Sequence, residues 1–172
     1  MNKKKRKIKH KDICIYGFGI QGKAQAMNLR DSGHDVIIAN KNDKYRKEAI
    51  KLGFDVYSFK KAAEISKIIF LLIPDAEHDY FLNKIIFPYC KEGTTIVFAH
   101  GYWLRFESSS LPKNLNFLMI APRFPGKQIR DQYLKGHGVP AFVDKVQDFT
   151  GELNGICKVL IESLGFKKGG IL

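Results

Sequence analysis

Seven short apolar runs recur along the chain, each four to seven residues long and each followed by polar or glycine-rich residues. They are ICIY (Ile13 to Tyr16), DVIIA (Asp35 to Ala39), FDVYS (Phe54 to Ser58), IIFLLIP (Ile68 to Pro74), TTIVFAH (Thr94 to His100), NFLMIAP (Asn116 to Pro122) and PAFVD (Pro140 to Asp144). Runs this short with little polar alternation read as strands buried on both faces. Between them the apolar residues recur at helical spacing, in Ala24 to Arg30, Tyr45 to Leu52, Glu77 to Tyr89 and Glu152 to Leu164. Strands alternating with helical stretches predict an α/β fold of the Rossmann type: a doubly wound, mostly parallel sheet with helices on both faces. Gly169 to Leu172 reads as the start of a further strand.

The first strand runs directly into GFGIQG, a GxGxxG turn built from Gly17, Gly19 and Gly22, and then into a helical stretch. That order suits a dinucleotide pyrophosphate. Gly17 permits the tight turn out of the strand, Gly19 lets the backbone approach the phosphates, and Gly22 lets the helix lie close to the sheet with its positive end toward the anion.

In such sheets a ligand lies beyond the carboxyl ends of the strands, so the residues after each run carry the candidate chemistry. The second run is followed by Asn40, Lys41, Asn42, Asp43, Lys44, Tyr45 and Arg46. Three cations where an NAD site usually offers a carboxylate favour the 2′-phosphate of NADP, with Asp43 read either as a contrary sign or as a helix N-cap. After IIFLLIP come Asp75, Ala76, Glu77 and His78, which suit either a first helical turn or contact with a cofactor. His100 ends the next run, where a proton-transfer group would face a nicotinamide or substrate. Arg123, set among prolines and Gly126, would hold an anion or pair with Asp131.

Composition narrows the class further. A chain of 172 residues with 45% hydrophobic content supports one core. Seven of its 29 Lys and Arg lie within Met1 to Lys11; without them the formal charge of +12 falls to about +5. Residues 1–11 are therefore expected to be a basic disordered tail ahead of one domain over residues 12–172, with no specific nucleic-acid role. No run is long enough to span a membrane and no apolar leader opens the chain, so a soluble, cytoplasmic protein is expected. Cys14, Cys90 and Cys157 lack paired spacing and read as reduced core thiols.

The ordered blocks GFGIQGKAQAMNLRDSG, LLIPDAEH, FAHGY, MIAPRFPG and GHGVPAFVDKVQDFTG, from about Lys11 onward, resemble the N-terminal domain of ketol-acid reductoisomerase. That family uses NADPH and two magnesium ions to convert 2-acetolactate or 2-aceto-2-hydroxybutyrate into dihydroxy acids of valine and isoleucine synthesis, by an alkyl shift followed by hydride transfer. The resemblance implies that Phe18, Gly19, Ile20 and Gln21 line the pyrophosphate and that Lys41 replaces a phosphate-binding arginine. Lys44 and Arg46 stand where the family has serines that bind the 2′-phosphate. Asp75, Ala76, Glu77 and His78 would pass beside the cofactor, Gly126 would contact it, and His100 matches the active-site histidine.

Two departures qualify these implications. Arg123 and Phe124 stand where the family has Lys and Gly, which changes the geometry of a cation and adds bulk beside it. The chain also offers no acidic set spaced to hold two hard cations, work the family assigns to a helical C-terminal domain. No metal ligands are assigned, and Mg2+ is expected only if a partner supplies them. The expected partners are NADPH, a small 2-keto or 2-hydroxy acid, and a helical partner chain or a second copy of this one. The alternatives are a non-catalytic NADP-binding module or subunit, a diverged reductase for another substrate, or a remnant.

Overall fold

Ile13–Tyr16 (β1) lies inside a seven-stranded sheet, hydrogen-bonded in parallel to Val36–Ala39 (β2) on one side and Ile68–Leu71 (β4) on the other. Val56–Tyr57 (β3) extends the sheet beyond β2, and Thr95–Phe98 (β5), Asn116–Pro122 (β6) and Ala141–Gln147 (β7) extend it beyond β4, giving the order β3-β2-β1-β4-β5-β6-β7. The first six strands are parallel; β7 pairs antiparallel with β6, with an irregularity at Phe117/Leu118. The computed structural model describes residues 12–107 and 111–172. The basic tail expected over residues 1–11 lies outside them.

Side chains of a strand alternate between faces, and here that alternation builds two cores. Ile13, Ile15, Ile38, Phe70, Val97 and Leu118 pack with Leu29, Leu160 and Leu164. Cys14, Tyr16, Ile37, Leu71, Ile96 and Phe98 point the other way and pack with Ala62, Ala63, Leu82 and Trp103. Because helices cover both faces, β1, β2, β4 and β5 are buried along their whole length, which is why they show as uninterrupted apolar runs.

The helices are Ile20–Asp31 (α1), Lys44–Lys51 (α2), Phe59–Ile65 (α3), His78–Tyr80 (α4), Gly126–Leu134 (α5) and Leu153–Leu164 (α6). The regular helix predicted over Glu77 to Tyr89 is instead a composite. Asp75–Glu77 is a 3-10 turn, α4 is a single α turn, and Phe81–Ile86 is π-helical. Pro88 has no N–H to return to residue 84, and the preceding turn widens so that the Phe87 N–H reaches the Leu82 carbonyl at 2.8 Å. The third apolar run yields only two strand residues.

Asp144 lies in β7, and Asp148 accepts the N–H of Leu153 at the start of α6. At the outer edge of β7, Ile171 pairs in parallel with Ala141, so the strand expected at the end of the chain does begin. Among the described residues no helix is long and apolar enough to cross a membrane. All three cysteines are free, Cys14 and Cys157 buried and Cys90 half-buried.

Candidate functional site

The strand order switches direction at β1, whose neighbours β2 and β4 lead to opposite edges of the sheet. The crevice beyond the carboxyl ends of these strands is where such sheets bind ligands. The glycine-rich turn occupies it. Gly17 has φ +92°, and a Cβ there would stand 2.7 Å from the Leu72 carbonyl oxygen. At Gly22 a Cβ would meet the Gly17 carbonyl oxygen at 1.9 Å, so only glycine lets α1 start this close to the strand. Gly19 differs from both: a Cβ there would have nothing within 4 Å. Its bare backbone faces open space, as close approach of a pyrophosphate requires.

The start of α1 is also left without a side-chain cap. By contrast, Asp43 accepts the N–H groups of Tyr45 and Arg46 at the start of α2, and Ser58 accepts that of Lys61 in α3. The opening N–H groups of α1, like those of α5 beside it, thus lack a side-chain acceptor and are positioned to receive an external anion. Asn40, at the end of β2, holds the turn in place: its Oδ1 accepts the Phe18 N–H at 2.8 Å while its amide donates to Asp43 Oδ1 at 2.8 Å. A cavity of about 320 Å3 borders the turn, lined in part by Gly19, Ile20, Lys23, Tyr45 and Lys127.

Several residues expected at the site also take structural parts. Phe18 is fully buried, its ring edge-on to Phe54 at 5.4 Å, so its side chain packs in the core while the residue borders the cavity at the turn. Gln21 donates its amide to the Phe124 carbonyl at 3.1 Å, joining the turn to the β6–α5 loop. Gly126 serves packing: a Cβ there would stand 2.2 Å from the Ile20 carbonyl oxygen, so this glycine lets α5 and α1 begin side by side. Ile20 itself is exposed.

Of the three cations after β2, Lys41 is exposed, Lys44 lies over the Tyr45 ring at 5.1 Å, and Arg46 turns back to donate to the Asn40 carbonyl at 3.4 Å. Asp43, between them, is the N-cap of α2 and not a strand-end carboxylate for a ribose.

Farther along the same edge, Asp75 Oδ1 lies 2.6 Å from His100 Nε2, and the His100 ring stacks on that of His78 at 5.6 Å with a 10° angle between planes. Ala76 is exposed and Glu77 partly so, whereas His78 is buried, its Nε2 3.1 Å from the Ile73 carbonyl oxygen. His78 therefore lies behind His100 as part of the wall. Arg123 follows β6; its guanidinium lies 4.9 Å from the centre of the Phe142 ring, and no ion pair with Asp131 occurs among the described residues. Sequence reasoning did not foresee the roles of Asn40, Phe142 or the Asp75–His100 pair. The position of Asn40 directly after an apolar strand was the one available signal.

The fold, the uncapped helix start and the open glycine define a Rossmann-type dinucleotide-binding domain. Residues 7–170 match the family described as "Acetohydroxy acid isomeroreductase, NADPH-binding domain". The chain belongs to that family and is an NADPH-binding domain of the ketol-acid reductoisomerase type.

It is 40% identical over 166 residues to the ketol-acid reductoisomerase (NADP(+)) of Pyrobaculum aerophilum, covering 96% of this chain and 51% of the relative. It is 39% identical to that of Methanocaldococcus jannaschii, covering 96% and 50%. The chain thus spans about half the length of the curated relatives it matches. The solved structure of an NADH-preferring ketol-acid reductoisomerase from an uncultured archean is similar with a TM-score of 0.90 and 32% identity, over 93% of this chain and 50% of that one. The N-terminal domain of HmdIII from Methanocaldococcus jannaschii shares the fold at a TM-score of 0.63 and 17% identity, over 94% and 98%.

Proposed function

We propose that this domain supplies the hydride-transfer half of a ketol-acid reductoisomerase reaction acting on a small 2-keto or 2-hydroxy acid such as 2-acetolactate, in the cytoplasm. The observation that carries the reading is the open backbone at Gly19 beside the uncapped start of α1. The pyrophosphate would lie against Gly19, Ile20 and Gln21, with Lys41, Lys44 and Arg46 supplying positive charge for a 2′-phosphate. NADPH supplies a hydride to the substrate carbon when bound.

His100 is the proton-transfer group in this reading. Asp75, at 2.6 Å, orients its ring, and the buried ring of His78 limits its tilt. Arg123 holds the substrate carboxylate, and its placement over Phe142 fixes the direction of the guanidinium.

The two magnesium ions of the family reaction do not fit the described residues. Hard cations take several oxygen ligands, whereas the one group of candidate ligands here offers a single carboxylate and two imidazoles. No step is therefore assigned to them on this chain. A helical partner segment that carries acidic residues completes the enzyme.

The test is a fluorescence titration of the chain with NADPH and NADH, then an assay with 2-acetolactate and Mg2+ in the presence and absence of the helical half of a relative. NADPH bound at least tenfold tighter than NADH, with turnover only after the helical half is added, is the expected result. Tight binding with no turnover under any supplementation would leave an NADP-binding module and overturn the catalytic reading. Failure to bind either nucleotide would overturn the proposed cofactor site.

A further inference from the structure

We propose that Asp75, His78 and His100 form a binding site for a borderline divalent transition-metal ion such as Zn2+, because their ligand atoms lie within 4.8 Å of one another at the carboxyl edge of β4 and β5. Asp75 and His78 stand three residues apart across the 3-10 and α turns after β4, a spacing that sets two side chains on one face. His100 reaches them from the segment that follows β5, the strand hydrogen-bonded to β4.

His78 is held as metal-ligating histidines are. The Ile73 carbonyl can only accept, so the His78 Nε2 at 3.1 Å carries the ring proton and Nδ1 carries the lone pair. An imidazole that donates one nitrogen to a backbone carbonyl and offers the other is the usual outer-shell arrangement of such ligands. The His78 ring is 1% exposed and is fixed between His100, stacked at 5.6 Å, and Phe98, edge-on at 6.1 Å. One ligand is thus rigid.

The other two can adjust. The side chains of His100 and Asp75 are 40% and 53% exposed, and their 2.6 Å contact would open to the roughly 3.3 Å that separates neighbouring ligands around a Zn2+ ion with bonds of about 2.0–2.1 Å. In effect the ion takes the place of the shared proton. Two imidazoles and one carboxylate, with the outer side open, match the donor set of Zn2+, Co2+ or Ni2+ and not the all-oxygen set of Mg2+ or Ca2+.

The ion would occupy the nitrogen that His100 uses for proton transfer, so the two uses exclude each other and bound Zn2+ would inhibit. That consequence rests on the catalytic reading above; the binding does not.

The experiment is a titration of the full chain with Co2+ followed by visible absorption, then displacement by Zn2+. One Co2+ per chain is expected, with four- or five-coordinate d–d bands, no thiolate charge-transfer band and full displacement by Zn2+. Asp75→Asn and His100→Gln should each weaken binding at least tenfold, while His137→Gln leaves it unchanged. Asp75 is exposed and His100 half-buried at the sheet edge, and circular dichroism should show the fold retained in both variants. The proposal is overturned by absence of saturable Co2+ binding, by affinity that neither variant moves, or by a thiolate band placing the ion on a cysteine.

Discussion

Asn40 Oδ1 accepts the backbone N–H of Phe18 at 2.8 Å, so the end of β2 holds the glycine-rich turn that leaves β1. Phe18 is buried, and without that acceptor its N–H would be left in the interior at a cost of about 1–3 kcal/mol. Asn40→Ala is therefore expected to lower stability by that amount in urea unfolding and to weaken NADPH binding together with it. Asn40→Asp keeps the acceptor but sets a carboxylate against Asp43, which now accepts the Asn40 amide. It should cost stability as well, with part of the loss recovered by adding Asp43→Asn. Wild-type stability in Asn40→Ala would remove Asn40 from this role.

The glycines of the turn separate binding from folding. Gly19→Val adds a side chain where the protein leaves open space, so thermal unfolding should be nearly unchanged while NADPH binding is lost. Gly22→Ala sets a Cβ 1.9 Å from the Gly17 carbonyl oxygen, a clash of backbone with side chain that costs roughly 3 kcal/mol or more. Gly126→Ala meets the Ile20 carbonyl at 2.2 Å and should behave like Gly22→Ala. Undiminished NADPH affinity in folded Gly19→Val would place the pyrophosphate elsewhere.

These glycines also show what can be read along a chain. The spacing of Gly17, Gly19 and Gly22 after an apolar run reports a turn whose constraints are local, and the structure assigns a separate steric reason to Gly17 and Gly22. Strands buried on both faces were equally legible, because nearly every residue of β1, β2, β4 and β5 is apolar. The break after Asp75 was not, since the apolar spacing of Glu77 to Tyr89 satisfies a regular helix and only the missing N–H of Pro88 opposes it. Nor was the meeting of Asp75, His78 and His100, which depends on β4 and β5 being neighbours. Gly126 is expected in sequence to contact a cofactor, and its steric part against Ile20 emerges only once α5 is laid against α1.

His34 gives stability a pH dependence. Ser163 donates its hydroxyl to the Val159 carbonyl, so at 2.7 Å its oxygen accepts from His34 Nε2, and burial lowers the histidine pKa below the ordinary 6.5. The unfolded chain then binds a proton that the folded chain resists. Stability is full above the unfolded pKa and falls as pH drops through 6.5 toward the folded value. Thermal unfolding followed from about pH 7.5 to pH 5 should show a smaller decline in His34→Gln than in the wild type. Parallel profiles would exclude His34 as the cause.

The cysteines should be inert in the native state. Burial raises the Cys14 thiol far above its usual range and pushes Cys90 up to about 11, and it raises Cys157 as well. Since the thiolate is the reactive form, iodoacetamide at about pH 8 should label none of the three at the rate of a free thiol and all three in denaturant. Rapid native labelling at Cys90 would show that its surroundings open readily.

The direction of β7 reaches the ligand edge. Running opposite to its neighbours, β7 brings its first residues, not its last, beside the end of β6, with Ala141 opposite Pro122 and Phe142 opposite Ala121. That register is what sets the Phe142 ring under the Arg123 guanidinium. A seventh strand in the parallel sense would have turned this aromatic toward the far end of the sheet and left the cation facing water alone. The polarity of one edge strand thereby places a residue of a separate element beside the cation that follows β6, and drift at position 142 would retune that cation without touching it.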